Sequence, residues 1–298
     1  MQKVDLINHT ENLKEIIYTA CKTCTNNEEP IEIFNKQKIN VNDYSKFTGQ
    51  LYSKENCFEH DDGFCMYNDD CTSCTFQYTD ISEDCKETAK NYDKYQQELG
   101  EFFKNRKIEK QNLENKQLKL IKKVIESGHQ SVLEHAYFTF TISGISRNCT
   151  QQLIRHRFIS PSQKSQRYVT EKGQFQYVTP ESIKSNVFLQ KRYHELMHEL
   201  QVYYSLAIEK GIPAEDARFI LPSAITSSLV ISLNLRELIH VANERLCVKA
   251  QWEIRQLVNK MCDLVVTEEP WLKDYLQPKC VKNKRCNEIK PCGRFHVN

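Results

Sequence analysis

Apolar residues in this chain recur at two periods, and the switch between them marks out the elements. Leu13, Ile16, Ile17 and Ala20 return at helical spacing within 11–24, a short helix that runs into a Cys21-x-x-Cys24 turn. From Asp84 the pattern is helical again, with Tyr92, Tyr95, Leu99, Phe102 and Phe103 as an aromatic stripe on a charged helix, which reads as packing surface. Leu118, Ile121, Val124 and Ile125 mark a further amphipathic helix that Gly128 can end in a left-handed cap. Between His135 and Ser143 the period falls to two. Ala136, Phe138, Phe140 and Ile142 then share one face and Tyr137, Thr139, Thr141 and Ser143 the other, as in a half-buried strand. Ile145, Cys149 and Leu153 recur every four residues, which predicts a helix just before residue 155.

Residues 167–179 read as an extended stretch. A helix over 188–209 puts Leu189, Tyr193, Leu196, Leu200, Tyr203 and Leu206 inward and stops near Gly211. Pro213 suits the first turn of another helix, which carries Arg218 and ends near Pro222. Residues 223–233 predict a strand with Ile225, Leu229, Ile231 and Leu233 on one side. Asn234 followed by Glu237 makes a capping box, and the helix it opens turns Leu235, Ile239, Ala242 and Leu246 inward while Arg236, His240 and Asn243 line another face. A last long helix, about 249–267, carries Ile254, Leu257, Val258, Met261 and Val265 at core spacing and ends before Pro270. Helices and strands mix along the whole chain, which places it in the α/β or α+β class.

Composition narrows the function classes. With 298 residues, 40% hydrophobic and 27% charged, the chain can build a sizeable core, and its net charge of only +2 suits a local anion site better than a long phosphate-tracking surface. No nucleic-acid partner is expected. The N-terminus lacks a signal-peptide pattern and no apolar run approaches membrane-spanning length, so a soluble cytoplasmic protein without a membrane partner is expected. Thirteen cysteines are many for a reducing compartment, where they stand as thiols or metal ligands. Residues 25–113 are rich in Asn, Lys, Asp and Glu and carry Cys57, Cys65, Cys71, Cys74 and Cys85 with His60, an insertion-like stretch whose thiolates could supply four ligands to a structural zinc. Their spacing matches no finger class, and Cys280, Cys286 and Cys292 in the tail raise the same question, so no metal ligand is assigned.

The densest chemistry is in Arg155-His156-Arg157-Phe-Ile-Ser160-Pro161-Ser162-Gln163-Lys164-Ser165-Gln166-Arg167. Arginine presents a planar fork of donors to phosphate and to polarised ring carbonyls, and histidine can carry or shed a proton near neutral pH. An arbitrary tripeptide of this kind is a solvated basic helix end. Here the helix ahead of it places Gln152 and Arg155 on one face, and Pro161 makes continuation of that helix beyond Ser160 unfavourable. The turn from Ser160 to Arg167 offers hydroxyl and backbone donors for a nucleotide phosphate. The capped N-terminus at Asn234, with Arg236 beside it, is a second anion site.

Separated blocks in fixed order give this cluster its meaning: Gly128-His129 then Glu134-His135, the Phe-Thr strand, Arg155-His156-Arg157 with Ser165, Ala217-Arg218 then Leu221-Pro222, Asn234-Leu235-Arg236, and Arg245 ahead of Ala250-Gln251-Trp252-Glu253. Over residues 11–24 and 114–275 the set resembles the flavin-dependent thymidylate synthases. The resemblance implies an antiparallel-rich sheet packed with helices. It also implies a catalytic domain of residues 1–24 and 114–275, interrupted by the Cys-rich insertion 25–113 and followed by a Cys-containing tail, 276–298. The implied reaction moves a methylene group from 5,10-methylenetetrahydrofolate to deoxyuridine monophosphate, with FAD reduced by NADPH as hydride source. It likewise implies a homotetramer with sites built at subunit contacts.

By position, the resemblance gives the nucleotide to Gln152, Leu153, Ile154, Arg155, Gln163, Lys164, Ser165, Gln166, Arg167, Arg218 and Arg245. It gives the flavin to His129, Ser131, Arg155, His156, Arg157, Gln163, Asn234, Leu235, Arg236 and His240, with His129 and His240 also near folate. Arg245 and Ser165 are the candidate catalytic positions. Arg245 would favour the ionised uracil ring, while Ser165, with no base visible in reach, is favoured as a substrate binder. Gln163, Ser131 and His240 stand where some members carry Glu, Thr and Asn, which leaves individual contacts open. The alternative is a zinc-bound, Cys-rich module for nucleic acid or protein, against which the near-neutral charge speaks.

Overall fold

A computed structural model of the chain describes residues 2–24, 27–39, 41, 83–171 and 173–295. In order the elements are β1 (Lys3–His9), α1 (Leu13–Thr23), α2 (Pro30–Asn35), α3 (Glu83–Glu126), a 3-10 turn (Gln130–His135), β2 (Tyr137–Ser146), α4 (Arg147–Leu153) and β3 (Ile159–Gln163). They continue with α5 (Glu181–Lys184), α6 (Val187–Glu209), α7 (Ala214–Ala217), β4 (Thr226–Asn234), α8 (Leu235–Arg245), α9 (Trp252–Glu268) and α10 (Lys279–Asn283). Contacts divide the chain into two units, Met1–Ala20 with Val124–Asn298, and Cys21–Lys123.

The larger unit is built on an antiparallel sheet in the order β1-β2-β4-β3. Phe138, Phe140 and Ile142 of β2 and Leu229, Ile231 and Leu233 of β4 are buried on one face, as their alternation requires, whereas Tyr137 and Val230 face outward. A bulge between Ser143 and Ile145 is made at Gly144, whose φ of +70° a side chain would strain. Helix α9 packs on β1 and α4, and α8 packs on α9 and on the 3-10 turn. Leu257, Val258, Met261 and Val265 of α9 join Leu238, Val241 and Ala242 of α8 in the interior. At Gly128 (φ +88°) the turn after α3 closes with bonds from Gly128 N to Ile125 O and from His129 N to Val124 O, the cap expected from its sequence. In the smaller unit, Gln117 of α3 donates to Gln37 Oε1 (3.4 Å), and Gln37 in turn donates to Ile33 O of α2 (2.9 Å).

The structure corrects four expectations. Strand β1 was not expected, because it is an edge strand with no fully buried residue and its alternation is correspondingly faint. The two helices expected across 84–125 are one, since no glycine or proline in a helix-ending position separates their stripes. The helix expected to begin at Ile145 begins at Arg147, because β2 runs on to Ser146, where the serine caps α4 by accepting from Cys149 N. The hydroxyl-rich segment after the Arg-His-Arg cluster is strand β3 rather than a turn as far as Gln163; Pro161 is tolerated there because β3 is an edge.

Helix α6 also buries a different stripe from the one its period suggests. Met197, Gln201 and Tyr204 are inside, Tyr193 and Leu200 pack on the Phe175–Met197–Ile225 cluster, and Leu189, Leu196, Tyr203 and Leu206 are exposed. Gln201, which accepts from Phe175 N (2.6 Å) and donates to Ser205 Oγ (3.1 Å), put a polar residue in the true core stripe and hid it. The cysteines at 57, 65, 71, 74 and 85, and His60, lie outside the residues whose side chains are described. Among the described residues, no helix is long and apolar enough to cross a membrane.

Candidate active site

Buried bonds fix the frame of the site. Glu253, in the first turn of α9, accepts from Ser146 N (2.6 Å) through one carboxylate oxygen and from Ser146 Oγ (2.5 Å) through the other, and Ser146 Oγ caps α4. The carboxylate is 4% exposed, so this joint couples the start of α4 to the start of α9 with little competition from water. Gln251 caps α9 by accepting from Glu253 N and Ile254 N. Consequently Asn148, Gln151, Gln152 and Arg155 from α4 and the turn after it stand opposite Gln251 around one cavity of about 500 Å³.

Arg155 also lines a second cavity of about 580 Å³ together with His156, His240, Glu244, Arg245, Cys247, Lys249, Ala250 and Glu288. Arg245, at the last turn of α8, donates through Nε to His156 Nε2 (3.0 Å) and through Nη2 to Gln152 O (3.4 Å). A cation at these carbonyl-rich helix ends is favourable. His156 is 8% exposed, and its pKa is lowered to about 4, first by burial and then by the charges of Arg245 and His240. At neutral pH the ring is uncharged. His240 lies edge-on to it at 5.7 Å between centroids.

Other positions predicted from the sequence lie elsewhere in the single chain. Arg167 Nε is 2.5 Å from Glu215 Oε2, and Arg218 Nε donates to Glu215 O (3.0 Å), so these two arginines converge on one residue of α7 rather than on either cavity. Arg236 pairs with Glu134 (2.5 Å) and Lys164 with Glu171 (2.7 Å). Ser165 Oγ accepts from Arg167 N (3.2 Å), and no base reaches it among the described bonds. Gln163 Nε2 donates to Thr150 Oγ1 and Ser227 Oγ, which ties β3 to α4 and β4. Leu153 and Leu235 are fully buried and shape the walls, Ile154 and Gln166 are half-buried, and Asn234 caps α8 through Glu237 N (2.9 Å). His129, Ser131 and Arg157 are exposed.

Sequence reasoning did not single out Asn148 and Gln151 in the first cavity or Glu244, Cys247, Lys249 and Glu288 in the second, and it had Gln251 only within a motif block and Glu237 only as a helix cap. Asn148 and Gln151 could have been found as the neighbours of Gln152 on one helix; nothing in the pattern brings Glu288 back from the tail. The cavity's cations and neutral imidazole fit an anionic ligand with an electron-rich ring such as a flavin nucleotide. Burial pushes Cys262 up to about 12, and burial with Glu253 nearby raises Cys149 further still.

A family model described as thymidylate synthase complementing protein matches residues 76–271. The chain is 43% identical over 184 residues to a flavin-dependent thymidylate synthase of Pyrococcus abyssi (strain GE5 / Orsay), covering 58% of this chain and 75% of that protein. It is 42% identical over 173 residues to a flavin-dependent thymidylate synthase of Geobacter sulfurreducens, with 58% and 75% covered, and 39% identical over 164 residues to that of Sulfolobus acidocaldarius, with 54% and 62% covered.

Proposed function

The chain belongs to the thymidylate synthase complementing protein family, and on that premise we propose that it methylates deoxyuridine monophosphate reductively to thymidine monophosphate. The carbon comes from 5,10-methylenetetrahydrofolate and the reducing equivalents from NADPH by way of FAD. The observation that carries this reading is the meeting of Arg155, Arg245 and a neutral His156 on one cavity, in a chain 43% identical to an enzyme of that name.

FAD supplies the hydride. The protein's own groups hold and polarise the ligands. Arg245, aimed by His156 and Gln152 O, sits by the uracil ring and stabilises the negative charge that builds on its carbonyl edge, which raises the nucleophilicity of the ring carbon. Gln152 and Arg155 hold the nucleotide at the junction of the two cavities, with Leu153 and Ile154 as the supporting wall. Gln163, Lys164, Ser165, Gln166, Arg167 and Arg218 complete the nucleotide site. His129, Ser131, Arg155, His156, Arg157, Gln163, Asn234, Leu235, Arg236 and His240 hold the flavin.

The separation of Arg167, Arg218 and Arg236 from the Arg245 cavity supports a site completed across subunits of a homotetramer. The exposed apolar side of α6, with Val187, Phe188, Leu196 and Tyr203, is a suitable contact. Residues 1–24 and 114–275 form the catalytic domain, 25–113 an insertion and 276–298 a tail. Small anionic metabolites as substrates and buried thiols accord with the cytoplasm. Purified protein is expected to be yellow, to bleach with NADPH, and to recolour anaerobically with production of thymidine monophosphate when both deoxyuridine monophosphate and methylenetetrahydrofolate are added. Absence of bound flavin, or recolouring without nucleotide product, sinks the reading.

A further inference from the structure

Glu237 is a carboxylate buried to 6% exposure that the helix cap does not use up. Its backbone N–H is bound by Asn234 Oδ1 (2.9 Å), but among the described bonds the reciprocal half of the capping box, from the Asn234 N–H to the carboxylate, is not made. The carboxylate is turned instead toward His156, with Oε1 3.7 Å from Nδ1. At the other ring nitrogen, Arg245 Nε donates to Nε2. An arginine N–H can only donate, so Nε2 presents its lone pair, and the ring proton of the neutral imidazole sits on Nδ1, facing Glu237. Three side chains from the start of α8, the turn after α4 and the end of α8 thus form one line.

We propose that Glu237 is a positioning residue for the methylation step: it holds His156 in its Nδ1–H form, and the imidazole so held aims the Arg245 guanidinium at the pyrimidine. The role given to Arg245 rests on the function proposed above, whereas the Glu237–His156–Arg245 line stands on its own geometry. At 3.7 Å the separation is longer than a hydrogen bond, and the proposed role requires it to tighten in the liganded enzyme. The donor atoms of His156, Glu237 and His240 also lie within 4.8 Å of one another, a spacing that could hold a metal ion. A cation there would need a lone pair of His156, yet one is engaged by Arg245 and the other nitrogen bears the proton, and Arg245 would repel it.

Nitrogen-15 NMR of the holoenzyme with labelled histidine tests the line directly. The expected spectrum at pH 7 has a protonated Nδ1 and an unprotonated Nε2 at His156, and the opposite tautomer or an imidazolium overturns the proposal. Titration with zinc is expected to leave both nitrogens unmoved; loss of the Nδ1 proton on adding zinc at micromolar concentration would reassign the cluster as a metal site and overturn it too. In kinetics, Glu237→Leu is expected to lower kcat for nucleotide-dependent flavin oxidation by about 10- to 100-fold, the effect of a small misplacement at a reacting centre, with KM for deoxyuridine monophosphate changed less than about 3-fold. Glu237→Gln, whose amide oxygen still accepts from Nδ1, is expected to recover most of the rate. An unchanged kcat in the Leu variant, or an equal loss in the Gln variant, counts against the proposal, and should the Leu variant not fold, the tautomer of the unaltered protein decides. Failure of NADPH bleaching in the unaltered protein would instead overturn the functional reading and leave the tautomer to be read independently.

Discussion

Arg155 and Arg245 differ from Arg167, Arg218 and Arg236 in what holds them, and the difference separates groups fixed around one cavity from groups tied to acceptors away from it. The first pair faces a cavity whose frame is anchored by the buried Glu253–Ser146 joint and by His156. The other three are matched to acceptors outside that cavity: Arg167 to the Glu215 carboxylate, Arg218 to the Glu215 backbone carbonyl, and Arg236 to the Glu134 carboxylate. The Arg167 and Arg236 side chains are 54% and 52% exposed, and ion pairs of that kind contribute about 0–1 kcal/mol, so an incoming phosphate can displace the carboxylates. Preorganisation therefore resides in the inner pair, and adaptability in Arg167 and Arg236.

The largest expected effect breaks the inner set. Arg245→Ala should slow nucleotide-dependent oxidation of the reduced flavin by about 100-fold or more in stopped-flow absorbance, as loss of an oxyanion donor does, while bound flavin is largely retained. Unchanged turnover would remove Arg245 from the mechanism. Next is the frame itself: Glu253→Gln leaves a buried Ser146 donor poorly matched, about 1–3 kcal/mol of stability, read as a fall of several degrees in Tm. A shift as small as that of a surface variant would show that the joint between α4 and α9 is not what rigidifies the site.

A third test uses pH. His156 is held neutral down to about pH 4, whereas in the unfolded chain it protonates near 6.5, so the unfolded state binds more protons between those values. Stability is then full above about pH 6.5 and is lost as pH falls toward 4. His156→Asn should flatten the decline of Tm between pH 7 and 5, and a decline as steep as in the unaltered protein would mean that other groups carry it. The smallest effect belongs to the outer set. Glu215→Gln should move Tm by less than about 1 °C, and by releasing Arg167 from the carboxylate, while Arg218 keeps its bond to the Glu215 carbonyl, should lower KM for deoxyuridine monophosphate by about 2- to 5-fold. A raised KM would show that the Glu215 carboxylate orients Arg167 rather than competing for it.

Much of this was legible where local chemistry decides. The alternation in β2 and β4, the glycine stops at 128 and 211, the Asn234 cap and the pairing of Gln152 with Arg155 follow from neighbours within a few residues, and the structure has them all. The rest depended on distant partners. Residues 159–163 became a strand because β4 offers a ladder that no local signal in Ile-Ser-Pro-Ser-Gln announces. The buried stripe of α6 was chosen by Phe175 and Ile225, one 22 residues before Met197 and one 28 after it. Glu237 read as a cap residue, and only the fold shows its carboxylate turned to a histidine 81 positions earlier.

Pro161 has a further effect through its place in the sheet. Strand β3 lies at the margin, and a margin of unpaired amide groups is a template onto which a stray strand from another molecule can grow. Proline offers no N–H, and the flanking Ser160 and Ser162 are exposed hydroxyl residues instead of apolar ones. Strand-by-strand polymerisation is thereby discouraged along that border, which guards the segment proposed to help hold the nucleotide against being sequestered in aggregates while the chain is still folding.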